Sequence, residues 1–514
     1  MTIPASQAPA AALLSRLTGA ASPVETHISA VFVGAKRVLK LRKAVSLGFL
    51  DFSSPTARRH FAERELALNA PAAPGLYRAV HGIPEAADRL VAADDPLAVE
   101  WVVEMAPVPA EAFLDAVAAR GGLDDPMRDA LGDAAVTLRK TYAAVPHADP
   151  VPPFLAVLRG NARAACSAGL DPARVLAWRR GAGRMLRRLA PLLRAREAAG
   201  RVRRCHGDLH LGNLLLWEGR PTPFDALEFD EGLATIDTGY DLAFLIADLI
   251  RRAGRAAACR VLARAIAVGG DAGLVAGLPL WLSCRALIRA HCLARMKGQE
   301  EGALAFLADA EAYLAPPPPR LVAVGGLPGT GKTRLGRSLA PLFGAAPGAL
   351  HLRSDEIRKR LAGVAPEVPL PPEAYTAATS QAVHDALFEA AAAALRGGHA
   401  VIADAAFLDP AMRAGIEAVA SEAGVPFRGI WLEAPLDVLR GRVVARRGDA
   451  SDATVRVLDT AAARTVAPRD WARIDAAGEP RPDALVALGL PTSQGPGRRP
   501  PAAGGLDGCG GRVC

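Results

Sequence analysis

Two short apolar runs, residues 28–33 and 38–41, flank Gly34-Ala35 and predict a β-hairpin. In the second run Val38, Lys40 and Arg42 fall on one face and Leu39 and Leu41 on the other, because strand side chains alternate. Ser54-Pro55 is a helix start, and the segment through Asn69 carries Phe61, Glu65 and Leu68 at i, i+4 and i+7, one helical stripe. That stripe turns the Glu65 carboxylate inward, where it needs a cation, and Lys40 on the neighbouring sheet is the candidate partner. Glu63 points elsewhere and can pair with Arg59 one turn back. Residues 100–105 read as a further strand, and 107–200 are mostly helical in pattern.

The later pattern alternates strands with helices. Apolar runs at 321–324, 349–353, 400–404 and 429–432 are separated by helical stretches that include 375–396, ended by Gly397-Gly398, and 436–447. Pro316-Pro317-Pro318-Pro319 stands before the first of these runs and predicts an extended spacer that no helix crosses. The expected division is a first unit at 24–314, a linker at 315–320 and a second unit at 321–490. The flanks 1–23 and 491–514, rich in small residues and proline, are expected to lack fixed structure.

Composition changes this picture little. The chain has 514 residues, 51% of them hydrophobic, ample for real cores. Its net charge of +8 rests mainly on arginines scattered among acids, which favours nucleotide phosphates over a nucleic-acid partner. The 7 cysteines show no CxxC spacing, so neither a disulfide framework nor a zinc site is suggested. Residues 1–22 lack the basic start of a signal peptide, and the apolar run at 272–284, bounded by Asp271 and Arg285, is short for a membrane span. A cytoplasmic protein without a membrane partner is expected.

Candidate chemistry is concentrated in two places. Gly326-Leu327-Pro328-Gly329-Thr330-Gly331-Lys332-Thr333 matches GxxxxGK[ST] directly behind an apolar strand. Glycines there let backbone N–H groups converge on phosphate, Lys332 reaches the β and γ phosphates of ATP, and Thr333 holds Mg²⁺. Asp355, after the next strand, is positioned to take a proton from an acceptor hydroxyl, with Arg358 to hold the acceptor. Asp404 ends an apolar strand and is suited to ordering Mg²⁺, and Arg442 and Arg446 are candidate lid residues over the migrating phosphoryl group.

The second place is Cys205-His206-Gly207-Asp208-Leu209-His210-Leu211-Gly212-Asn213, followed by Pro223-Phe224-Asp225-Ala226-Leu227-Glu228. The offset from Asp208 to Asn213 is that of a kinase catalytic loop, with Asp208 as base and Asn213 and Asp225 as metal ligands. His206 would brace the loop.

Residues 24–312 resemble the aminoglycoside phosphotransferase family, whose HGDxHxxN motif corresponds to His206 through Asn213 and whose metal-binding aspartate corresponds to Asp225. The resemblance implies an α+β, protein-kinase-like, two-lobed domain that phosphorylates a small hydroxylated acceptor, with Asp241 anchoring the catalytic loop. It implies an acceptor side built from helices carrying Trp281, Arg285 and Arg289. A glycine-rich phosphate-covering loop is missing, and Thr26-His27-Ile28-Ser29 takes its place.

Residues 320–485 resemble AAA-like P-loop kinases of the polynucleotide-kinase, gluconate-kinase and zeta-toxin group, which implies an α/β P-loop domain with a parallel sheet. The pairing resembles bacterial bifunctional aminoglycoside phosphotransferase/ATP-binding proteins. The expectation is a phosphotransferase with two separate ATP and Mg²⁺ sites; the alternatives are a nucleotide-gated regulatory module behind a small-molecule kinase, or a nucleic-acid 5′-hydroxyl kinase in the second half.

Overall fold

The computed structural model describes residues 2–47, 50–142 and 149–492. Helix α1 (Ala8–Thr18) precedes β1 (Val24–Glu25), β2 (Ser29–Val33), β3 (Val38–Arg42), α2 (Pro55–Asn69), β4 (Tyr77–Pro84), β5 (Val91–Ala92) and β6 (Ala98–Met105). The strands form one antiparallel sheet in the order β1-β2-β3-β6-β4-β5, with the predicted hairpin as β2 and β3. Ser54 caps α2 by accepting the Ala57 N–H at 3.1 Å, and Pro55 sits in the first turn, where its missing N–H leaves no bond unmade.

The N-terminal stretch corrects the expectation that 1–23 lacks structure. Leu13 and Leu14 of α1 are buried with Ala30, Phe32, Leu39 and Leu41 on one face of the sheet. The Gln7 side chain donates to Arg42 O and accepts from Ala44 N, both at 2.7 Å, which ties the segment to the end of β3. An alanine-rich composition suggested disorder, but a short Leu stripe with a sheet to cover is enough to fold a helix there. Of the predicted C-terminal tail, residues 493–514 lie outside the described residues.

A helical layer follows: α3 (Leu114–Ala119), α4 (Asp125–Thr141), α5 (Val151–Ser167) and α6 (Pro172–Ala198). Strand β7 (Val202–Arg204) leads to the hairpin of β8 (Leu214–Trp217) and β9 (Arg220–Pro223). Next come α7 (Glu231–Ala234), β10 (Thr235–Asp237), α8 (Thr238–Gly269), α9 (Leu278–Leu293) and α10 (Glu300–Tyr313). Asp124, Asp171 and Asp237 cap α4, α6 and α8 through their carboxylates. Helix α8 is broken at Gly254, whose φ of 83° and ψ of 168° belong to no helix. Residues Ala272–Leu293 are long and apolar enough to cross a membrane, but 78% of that window is buried inside the protein.

The last layer comprises β11 (Leu321–Gly326), α11 (Lys332–Leu339), β12 (Leu350–Arg353), α12 (Ser354–Leu361), α13 (Ala377–Arg396), β13 (Val401–Asp404) and α14 (Pro410–Glu422). It ends with β14 (Phe427–Glu433), α15 (Leu436–Ala445), α16 (Val455–Arg464), β15 (Ala472–Asp475) and α17 (Arg481–Ala487). Its five strands are all parallel, in the order β12-β13-β11-β14-β15. The chain reverses direction across the sheet at β11, so the crevice beyond the carboxyl end of that strand is where such sheets take ligands.

The halves are not separate bodies on a proline rod. Leu262, Ile266 and Val275 of the first half share one buried cluster with Leu352, Ile357, Leu387 and Ala394 of the second. Cys259 of α8 is buried against Leu339, Phe343 and Ala400, and Arg255 Nε donates to Pro347 O at 2.6 Å. Arg264 pairs with Asp133 at 2.6 Å on its own side and with Glu367 at 2.5 Å across the seam. Prolines set the local path of residues 316–319, but α8 sets how the halves sit.

Candidate functional site

The first cleft is assembled by the β8–β9 hairpin. Leu214 pairs with Pro223, and Phe224 N donates to Asn213 O at 3.0 Å, so Asn213 before the hairpin and Asp225 after it become neighbours. Asn213 Nδ2 donates to Asp208 O at 3.0 Å and to Asp208 Oδ2 at 3.2 Å. From the opposite wall Lys40 Nζ reaches Glu65 Oε1 at 2.8 Å and Asp225 Oδ1 at 2.6 Å. The structure thus brings together Lys40, Glu65, Asp208, Asn213 and Asp225.

Buried contacts lock the catalytic-type loop. Asp241, in the first turn of α8, accepts the Gly207 N–H at 2.9 Å and the His206 N–H at 3.3 Å. His206 Nδ1 accepts from Asp208 N, which leaves Nε2 to donate to Phe224 O at 2.8 Å, and this neutral tautomer braces the loop against the strand before Asp225. Burial pushes the His206 pKa down, in keeping with that role. Asp248, two turns further along the same face of α8, accepts Leu211 N at 3.0 Å.

Charges in the cleft are arranged in opposition. Burial disfavours the Asp208 anion, yet His210, Arg285 and His206 outweigh it and hold the carboxyl below its usual range. His210 Nδ1 accepts Gly212 N at 3.0 Å, so Nε2 faces Asp208 Oδ2 at 3.3 Å as a donor. Arg285 Nη2 lies 3.2 Å from Asp208 Oδ1, with its guanidinium on the Phe244 ring. Lys40 is likewise desolvated, but Asp225 and Glu65 raise its pKa and keep it charged.

The second cleft forms at the carboxyl end of the parallel sheet. Val324 and Arg353 both stand in register with Asp404, so three strand ends face one crevice. Gly326, Gly329 and Gly331 have φ of 139°, 88° and 84°, and a Cβ on Gly329 would lie 2.8 Å from Leu439 O. Pro328 and the buried Thr330 complete the turn, the Thr330 hydroxyl donating to Leu327 O at 2.8 Å. Lys332 Nζ donates to Gly326 O at 2.9 Å and Leu327 O at 3.0 Å, and Thr333 Oγ1 donates to Asp404 Oδ2 at 2.7 Å. Burial opposes the Asp404 charge, but His351, Arg353 and Lys332 prevail and its pKa falls to about 2. Burial raises the pKa of Asp355, although Arg353, Lys332 and a bond from Ser451 work the other way.

Some predicted site residues are placed elsewhere. Helix α15 stops at Ala445 and Arg446 is already extended, so Arg442 and Arg446 do not share a helical face. Arg446 donates to Ala453 O at 2.6 Å and lies within electrostatic range of Lys332. Arg442 instead donates to Ala476 O at 2.7 Å and Ala477 O at 2.9 Å, which bracket the loop after β15. Arg358 is engaged by Ala374 O and Ser380 Oγ and stacks on Tyr375.

Sequence reasoning missed residues that complete both clefts. Buried Arg42 pairs with Glu65 at 2.5 Å and Glu228 at 2.5 Å, making the Lys40 contact part of a larger network. Its place on the Lys40 face of β3 was the available signal. His351 and Arg353 alternate along β12; His351 Nε2 lies 3.2 Å from Asp404 Oδ2, and Arg353 pairs with Glu356 at 2.7 Å and Asp449 at 2.5 Å.

The donors suit a hard cation. Asn213 spends its amide N–H groups on Asp208, which leaves its carbonyl oxygen to join Asp225 as a ligand, while the second cleft offers a hydroxyl and a carboxylate. No cluster of three or more His, Cys, Asp or Glu could hold a metal among the described residues. Such paired oxygen donors fit Mg²⁺, which takes one or two protein ligands and completes its shell with phosphate and water.

Over 492 residues the chain is 30% identical to the uncharacterized protein Rv2004c of Mycobacterium tuberculosis, covering 88% of this chain and 92% of that one. The Mycobacterium bovis protein Mb2027c matches to the same extent. The chain belongs to the family of these mycobacterial proteins. Within it, residues 321–468 match the family model described as an AAA domain, so the parallel sheet and its glycine-rich loop form a P-loop domain of that kind. Among solved structures, a gluconokinase from Sinorhizobium meliloti 1021 is 22% identical, covering 33% of this chain and 92% of that one at a TM-score of 0.25. A choline/ethanolamine kinase family protein from Mesorhizobium loti is 14% identical, covering 60% and 99% at a TM-score of 0.35.

Proposed function

We propose that the chain is an ATP-dependent phosphotransferase with two nucleotide sites, a protein-kinase-like one at Asp208 and a P-loop one at Lys332. The observation that carries the first is the meeting of Asp208, Asn213, Asp225 and Lys40 from segments far apart in sequence. In that cleft Lys40, steadied by Glu65, aligns the ATP phosphates, and Asp208 orients the acceptor hydroxyl. The acceptor oxygen forms a bond to the γ phosphorus as the bond to the bridging oxygen breaks. The electron pair of that bond leaves with ADP, and the hydroxyl proton passes to the Asp208 carboxylate and then to solvent. Asn213 and Asp225 would hold Mg²⁺, which supplies charge neutralisation on the phosphates.

In the second site the backbone of the P-loop cradles phosphate, and Lys332 exchanges its two carbonyl partners for phosphate oxygens. Thr333 and Asp404 would hold the metal, Arg446, within electrostatic range of Lys332, would add positive charge toward the phosphates, and Asp355 is the proposed base. Its raised pKa brings it closer to the range of a working base. Small hydroxylated acceptors and a cytoplasmic location complete this reading.

Incubating a metabolite extract with γ-labelled ATP tests it. Wild type should label products that Asp208→Ala and Lys332→Ala each remove selectively. Labelling that survives both changes, or none under any condition, would refute the proposal.

A further inference from the structure

We propose that the acceptor of the Asp208 cleft is an anion: a hydroxylated carboxylate or phosphate monoester whose charged group is read by Arg289 together with Arg285. This rests on the phosphotransferase reading of that cleft. Arg285 and Arg289 lie one turn apart on α9, so they present to the same side. Arg285 is already at Asp208, 3.2 Å from Oδ1, and its cation is stacked on Phe244. Arg289 is half-buried and lies within electrostatic range of His210 and Asp248. It forms no hydrogen bond or ion pair among the described residues.

The nearby carboxylates do not neutralise it. Asp248 is taken by Arg252 at 2.8 Å and by Leu211 N, and Asp208 by Arg285, His210 and Asn213. A half-buried guanidinium with its donors unspent, one helical turn from the arginine that touches Asp208 and within electrostatic range of His210, is a fork for a planar or tetrahedral oxyanion. A cationic acceptor placed there would face two guanidiniums and a histidine, an arrangement that excludes it by repulsion. The hydroxyl to be phosphorylated sits at Asp208 and the anionic group toward Arg289, so the site selects a molecule carrying both.

The test uses the full chain carrying Lys332→Ala, so that transfer is assigned to the first cleft. Matched acceptors are compared: glycerol, D-glycerate and glycerol 3-phosphate; glucose, gluconate and glucose 6-phosphate; and choline as the cation. The expected result is a kcat/KM for an anionic member at least about tenfold above its neutral twin, the worth of one charge-assisted hydrogen bond. Whether carboxylate or phosphate leads separates the two sources of the charge. Arg289→Gln should raise KM for the anionic acceptor about tenfold with kcat nearly kept, affect the neutral twin several-fold less, and be partly rescued by Arg289→Lys. Equal or better use of neutral or cationic acceptors, or equal effects of Arg289→Gln on both, overturns the proposal while leaving phosphotransfer intact. If no acceptor is phosphorylated and ATP turnover does not depend on Asp208, the phosphotransferase reading itself fails. Equilibrium binding of glycerate and inorganic phosphate then decides the anion site: binding lost in Arg289→Gln supports it, and absent or Arg289-independent binding overturns it.

Discussion

Lys40 Nζ lies 2.6 Å from Asp225 Oδ1, a pairing across 185 positions of sequence that joins the antiparallel sheet to the β8–β9 hairpin. Lys40→Met removes the cation that Glu65 and Asp225 share in a largely desolvated site, while Arg42 stays with Glu65. Loss of one partner from such a pair costs about 3–5 kcal/mol. Chemical denaturation should show a loss approaching that size, and first-cleft transfer should fall by about 10²-fold or more. The exposed Arg59–Glu63 pair is the contrast: Arg59→Ala should change stability by less than about 1 kcal/mol.

Asp404 gives a signed pH dependence. Its folded pKa of about 2 is below the usual carboxylate value, so its contribution to stability is present above the unfolded pKa and lost as pH falls toward 2. Asp404→Asn should flatten the acid limb of stability against pH between about 4 and 2. It should also abolish Mg²⁺-dependent nucleotide binding by the P-loop half, measured by titration calorimetry.

Asp241 accepts two backbone N–H groups, so Asp241→Asn turns an amide NH₂ toward one of them. The loop bearing Asp208 should shift, and a displacement of about 1 Å costs roughly 10²-fold in rate. Assays of each site should show that loss in the first cleft, with nucleotide binding by the P-loop half retained.

Packing across the seam predicts a single cooperative unfolding transition for the full chain in calorimetry. Cys259→Asp buries a charge against Leu339 and Phe343 and should lower the melting temperature of both halves together. A fragment starting at residue 321 should be prone to aggregation, because it exposes the apolar residues that α8 covers.

Arg446→Ala should reduce P-loop turnover, whereas Arg442→Ala should act mainly on the loop at Ala476 and Ala477. Comparison of kcat with KM separates the two effects.

Much of this organisation was legible in sequence where a local rule applied. The hairpin, the Ser54 cap, the inward Glu65 and the P-loop each follow from period or spacing. What could not be read depended on the partner surface. Leu13 and Leu14 form a helix because a sheet waits for them, and Arg285 meets Asp208 only through the packing of α9. The stretch 436–447 carries a continuous helical pattern, yet the helix stops at Ala445 and Arg446 turns toward the crevice, a choice made by tertiary contacts. Prolines mark an extended path at residues 316–319 but say nothing of the apolar faces that draw the halves together.

Helix α8 starts beneath the Asp208 loop and ends against the layer that carries Lys332 at the start of α11. It therefore acts as a gauge block, bent once at Gly254, that sets the distance between the two crevices. Fluorescent labels on the two halves should report one distance with and without nucleotide.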